Sequence, residues 1–95
     1  MIPAALLAVL ITVQGVQVHS GDPDARPFAT CEYVGKVRTG GFTAATKGDV
    51  DRILAGETVE RGGNAVQIRR LMYSRLSGKW MAKGRAYQCN NQKEE

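Results

Sequence analysis

Only two cysteines, Cys31 and Cys89, stand in this chain of 95 residues, and they flank almost everything in it that reads as regular structure. Joined, they would close nearly the whole folded part into one loop, a constraint worth about 4 kcal/mol on the chain-entropy account. The alternative is a pair of buried free thiols. Compartment decides between them, because disulfides persist in oxidising surroundings and are rare in the cytosol.

The N-terminus bears on compartment. "MIPAALLAVLITVQGVQVHSG" has no charged side chain before Asp22. Its apolar stretch, Ile2 to Val13, is about 12 residues long, which suits the h-region of a secretory signal peptide and is short for a bilayer span. Small residues offer cleavage after Gly15 or after Ser20, and Ser20 is preferred because the polar, Pro-containing "SGDPDARP" follows at once. The n-region has no Lys or Arg, and a buried core helix is the competing use of such a run. No cysteine directly follows the apolar stretch, so neither a lipid anchor nor a transmembrane anchor is expected after cleavage. The expected compartment is periplasmic or secreted, where a cysteine pair reads as one disulfide.

Removal of residues 1–20 leaves about 75 residues, a size at which a staple often supplements a small core. The organisation expected is a signal peptide over 1–20, a flexible lead-in over 21–30, a folded part over 31–89 and a polar tail over 90–95. "CEYVGKVR" alternates as a half-buried strand, with Tyr33, Gly35 and Val37 on one side, Glu32, Lys36 and Arg38 on the other, and Val34 out of step. Thr46 and Asp49 have the spacing of a helix N-cap box, and Val50, Ile53, Leu54 and Thr58 form a thin apolar stripe behind it. "GGNAVQI" ends that helix with Gly62 at the C′ position and launches a second strand. There Val66 and Ile68 alternate with Gln67 and Arg69, until a slip at Arg70 and Leu71 that marks a bulge. "SRLSGK" is a hairpin connection, and "WMAKGRAYQC" is a third strand. Strand, helix, strand, strand predicts an α+β fold: a two-layer βαββ domain with a three-stranded mixed sheet, one helix on one face and one disulfide. The small residues Gly35, Ala82, Gly84 and Ala86 would let the helix approach the sheet.

The chemistry-bearing residues exclude more than they propose. The lone histidine, His19, lies in the expected leader, so the mature chain would lack Ser-His and Cys-His nucleophile pairs and His-based zinc sites. The carboxylates Asp49, Asp51, Glu57 and Glu60 on the helix, and Glu94 and Glu95 at the tail, read as solvated. Asp22, Asp24 and Glu32 do not converge with them. The glycine pairs lack the context of a nucleotide-binding loop. No catalytic residue, metal or cofactor is expected. What does gather is charge, within a net +4 carried wholly by the part after residue 20. Lys36, Arg38, Gln67, Arg69, Lys83 and Arg85 all fall on the predicted face away from the helix. Such a face either keeps the sheet solvated or docks an anionic partner: an envelope polymer, an anionic lipid or an acidic protein patch. Nucleic acid is disfavoured by export and by the scarcity of stacking aromatics on that face.

The cysteines conflict with this face assignment. Cys31 falls with the apolar side and Cys89 with the basic side, whereas bridged residues need compatible Cβ directions. A bulge, or cysteines beyond the regular pairing, would reconcile them; otherwise one strand's faces are exchanged.

"CEYVGKV", "GGNAVQI" and "GRAYQC" together resemble a family of small bacterial envelope proteins of unknown function, many of them lipoproteins. The arrangement is also similar to the core of the outer-membrane lipoprotein sensor of the Rcs stress phosphorelay. The resemblance spans Cys31 to Cys89 and implies a βαββ envelope domain stapled by those two cysteines, with a link to envelope stress sensing. The chain departs from it in having no lipobox and one cysteine pair where the Rcs sensor has more. The helix followed by Gly-x-Asn-Ala-Val is similar, too, to pentameric heavy-metal-binding domains, although the ligands such a role needs are absent. The expected function is therefore an exported, non-enzymatic binding module. A metal-handling protein, or an enzyme with its site at an oligomeric interface, is one alternative. A cytosolic basic module, should the N-terminus stay uncleaved, is the other.

Overall fold

The structure, a computed structural model, describes residues 9–22 and 24–90. Most of the expected tail and the first eight residues of the expected leader lie outside them. The elements run β1 (Val9–Val13), β2 (Val16–Ser20), β3 (Glu32–Arg38), α1 (Lys47–Glu60), β4 (Ala65–Ser74) and β5 (Lys79–Gln88). They make an α+β fold with one helix and a five-stranded sheet in the order β1-β2-β4-β5-β3. The three strands expected from the sequence are β3, β4 and β5, and three strands understate the sheet. The additional pair comes from the apolar N-terminal run. Gln14 and Gly15, at φ 53° and 80°, turn the chain between Val13 and Val16. Two positive φ values in a two-residue loop are the geometry that matches the twist of an antiparallel hairpin.

β2 then lies parallel to β4, with Val18 opposite Val66. β3 and β4 are each antiparallel to β5, hence parallel to one another with β5 between them. Val16 and Val18 join Val37, Val50, Leu54, Val66, Ala82 and Ala86 in one core between sheet and helix. A junction after Ser20 would cut at the end of β2 and take Val16 and Val18 out of that core. A junction after Gly15 would leave β2 whole.

The helix starts where its cap predicts: Thr46 Oγ1 accepts from the Asp49 amide at 3.1 Å. It ends in a full Schellman arrangement, with Gly62 N–H donating to Val59 O and Gly63 N–H to Thr58 O, both at 2.9 Å. Gly62 carries the left-handed φ of 80° that this ending requires. Asp51 departs from the expected solvated face. It is buried and paired with Lys47 Nζ at 2.9 Å. Of the small residues, Ala82 and Ala86 lie in the same buried cluster as Val50 and Leu54. A Cβ on Gly35 would stand 3.2 Å from the Arg61 side chain at the helix end, and a Cβ on Gly84 would meet the Gln67 carbonyl of β4 and not the helix.

The connection from β2 to β3 passes across the sheet on the face opposite the helix. Within the segment expected as a flexible lead-in, residues 21–30, two contacts hold the described part 24–30 to the sheet as a strap. Phe28 is buried against Ala65 and Cys89, its ring 5.7 Å from that of Tyr87. Gln67 Nε2 donates to Ala25 O at 2.7 Å, so Gln67 lies under the strap and does not reach solvent.

Candidate functional site

Two bulges decide what the non-helical face displays. The first lies in β3, where Tyr33 opposes Tyr87 and Gly35 opposes Ala86, leaving Val34 as the extra residue. Val34 turns inward to the core, and every residue before it changes face relative to a regular strand. Cys31 and Tyr33 therefore share the face of Tyr87 and Cys89. The conflict over the cysteines disappears: Cys31 and Cys89 form a disulfide with Cα atoms 4.7 Å apart. The assignment of Tyr33 to the apolar side is corrected for the same reason.

The second bulge lies in β4, between the pairs Ile68–Gly84 and Arg70–Lys83. The sequence slip anticipated it within a residue. It places Arg69 and Arg70 side by side on the non-helical face. The cross-strand register then sets cations directly opposite one another. Lys36 faces Arg85, which faces Gln67; Arg38 faces Lys83, which faces Arg70. The face expected from Lys36, Arg38, Arg69, Lys83 and Arg85 is thus assembled, with Arg70 as an addition.

Like charges placed directly opposite in a sheet are destabilising. No ion pair among the described residues involves these cations. The three ion pairs among the described residues all belong to the helix and its cap: Lys47–Asp51, Arg52–Asp49 and Arg61–Glu57. A groove of about 600 Å3 runs along β3, lined by Lys36, Arg38, Arg61 and Lys83 with Glu57.

Aromatic residues, expected to be scarce here, border the basic rows. Tyr33 and Tyr87 meet edge-on with ring centres 5.7 Å apart, and the Arg85 guanidinium lies over the Tyr33 ring at 5.8 Å. Arg26 comes in from the strap and lines a recess together with Arg69, Phe28 and Tyr33. Arg26, Arg70 and Tyr33 are the residues that alternation alone missed, whereas Tyr87 follows from the parity of Arg85. The out-of-step Val34 was the signal for Tyr33. For Arg26 there was none, because nothing local in "SGDPDARP" says where the strap lies.

Asn64 holds the site's far end. Its side chain donates to Cys89 O at 2.8 Å and accepts from the Cys89 amide at 2.7 Å, as a strand neighbour's backbone would. Its own backbone carbonyl accepts from Gln17 N–H at 3.0 Å, tying in β2.

His19 is buried on β2 opposite Gln67, and its Nδ1 has no hydrogen-bond partner among the described residues. Both cysteines are bonded, so no thiol stands free. Among the described residues no three His, Cys, Asp or Glu side chains gather as a metal site, and no helix is long and apolar enough to cross a membrane. The disulfide points to an oxidising, non-cytosolic compartment. Comparisons with protein-family models, with curated proteins and with solved structures return no match.

Proposed function

We propose that the chain is an exported, disulfide-stapled binding module that performs no chemistry and docks an anionic component of the cell envelope, in the periplasm or outside the cell. The observation that carries the proposal is the cross-strand register. Lys36 opposes Arg85 and Arg38 opposes Lys83, with no carboxylate among the described residues paired to any of them. An anionic partner would relieve a repulsion that the fold itself leaves standing. The disulfide supports the export half of the reading.

The test is charge reversal at Lys36, Arg38 and Lys83, each to Glu. All three are exposed, so the fold should survive. A cation near an anionic surface contributes about 1 kcal/mol, so even neutralising three would weaken binding to anionic vesicles about a hundredfold. Association with the envelope fraction should fall as well, and the original chain should lose affinity steeply with added salt. Unchanged fractionation and unchanged vesicle binding in the triple variant would reject the proposal.

A further inference from the structure

The non-helical face also holds a recess built differently from the basic rows. It consists of two adjoining cavities of about 260 Å3 each. Arg26 and Arg69 line both. Arg85 and Asp24 complete the first, and Tyr33 and Tyr87 border the second. None of the three arginines is in an ion pair among the described residues. Guanidinium forks match carboxylate or phosphate oxygens two at a time. Beside them Tyr33, 48% exposed, offers a ring edge and a hydroxyl. Asp24 adds an acceptor. The parts are held in place: Gln67 pins the strap through Ala25 O, Arg85 lies over Tyr33, and the Cys31–Cys89 bridge closes one wall.

The volume and lining choose among anions. Each cavity is smaller than an ordinary ligand pocket. Arg26 and Arg69 line both cavities, which does not suit an acyl chain, and an arginine cluster alone would not need tyrosines. A compact polar ring bearing one negative charge satisfies all three features. Resting on the anionic-partner reading above, we propose that the recess takes one acidic sugar unit of an anionic glycan. Its carboxylate or phosphate would lie between Arg26 and Arg69, its ring against Tyr33, and a hydroxyl on Asp24.

The test uses the full chain with its disulfide confirmed by intact mass, titrated calorimetrically at about 0.15 M salt. The probes are an oligogalacturonate, the same oligosaccharide as its methyl ester, and phosphatidylglycerol vesicles. The acidic oligosaccharide should saturate the protein, and the ester, which keeps the rings and loses the charge, should bind at least tenfold more weakly. Arg69→Gln and Tyr33→Ser should each weaken the acidic form at least tenfold. Arg75→Gln, in the hairpin turn, should change it less than twofold. Absence of saturable binding overturns the inference. So does an ester that binds equally well, or an Arg75→Gln loss equal to that of Arg69→Gln, which would mean diffuse charge attraction. Vesicle binding that is lost on reversing Lys36, Arg38 and Lys83, alongside no response to the oligosaccharide, removes the sugar site and leaves the docking face standing. Loss of both removes both.

Discussion

Removing residues 1–20 should cost far more stability than removing residues 1–15. The difference is β2. Val16 and Val18 are 1% and 0% exposed, and full burial of such a side chain contributes about 1.5–3 kcal/mol, so losing both costs about 3–6 kcal/mol. The bond from Gln17 N–H to Asn64 O is lost with them. Against a typical domain stability of about 5–15 kcal/mol, a chain beginning at Gly21 would be close to unfolding at room temperature. Of the described elements, a chain beginning at Val16 loses β1 alone, from which Val13 among the described side chains packs on the core, half-buried. That should cost about 1–2 kcal/mol. Urea unfolding followed by the fluorescence of Trp80, with the disulfide intact, measures both. The midpoint of the shorter chain should lie lower by about 2 M or more, given slopes of about 1–1.5 kcal/mol/M. Intact mass of exported protein should likewise place the mature start no later than Val16. Equal midpoints for the two truncations would refute the reasoning, because β2 would then contribute nothing to the fold.

Reduction of the disulfide, or Cys31→Ala with Cys89→Ala, opens a loop of sequence separation 58 and should cost about 4 kcal/mol by loop entropy, read as a fall in thermal midpoint. Two glycines of the helix region should respond in opposite directions. A Cβ on Gly63 would stand 2.7 Å from Tyr87 O and 3.0 Å from Thr58 Cγ2, so Gly63→Ala should destabilise by about 1–3 kcal/mol. Gly56 has nothing within 4 Å of that position, and Gly56→Ala should stabilise by about 1 kcal/mol. Asn64→Ala should cost about 2–4 kcal/mol, because it leaves both backbone groups of Cys89 without the amide that satisfies them. Asn64→Asp should recover only the half that accepts from the Cys89 amide. Denaturation midpoints distinguish these cases.

What could be seen in the sequence was what local chemistry determines. Thr46 and Gly62 mark the helix ends because capping is satisfied within a few residues. The bulge near Arg70 was visible because alternation broke where two arginines stood together. In β3 the break was a single residue, Val34, and the glycine after it let the pattern resume as if nothing had shifted, so Cys31 and Tyr33 were assigned the wrong face. The N-terminal run was ambiguous for a deeper reason. An apolar stretch with a Gly turn suits an export leader and a hairpin equally, and only its partner, Val66 on a strand far along the chain, separates the two. The strap was hidden because its Asp, Pro and Gly residues report local irregularity, while its anchor, Phe28, is a single side chain whose partners are remote. The basic rows were legible because strand parity survives from Lys36 to Arg38 and from Lys83 to Arg85. The recess was not, because half of it comes from the strap.

The position of the disulfide divides the molecule mechanically. Cys31–Cys89 closes a ring that contains β3, α1, β4 and β5, and leaves β1, β2 and the strap outside it. Tension applied at the N-terminus is therefore carried first by non-covalent contacts, among them the short β2–β4 ladder, Val16 and Val18 in the core, Gln67 on Ala25 and Phe28 on Tyr87. Those contacts can peel away while the ring stays closed. A pull would strip the strap, and Arg26 with it, from the basic face, making that face a surface whose composition depends on load.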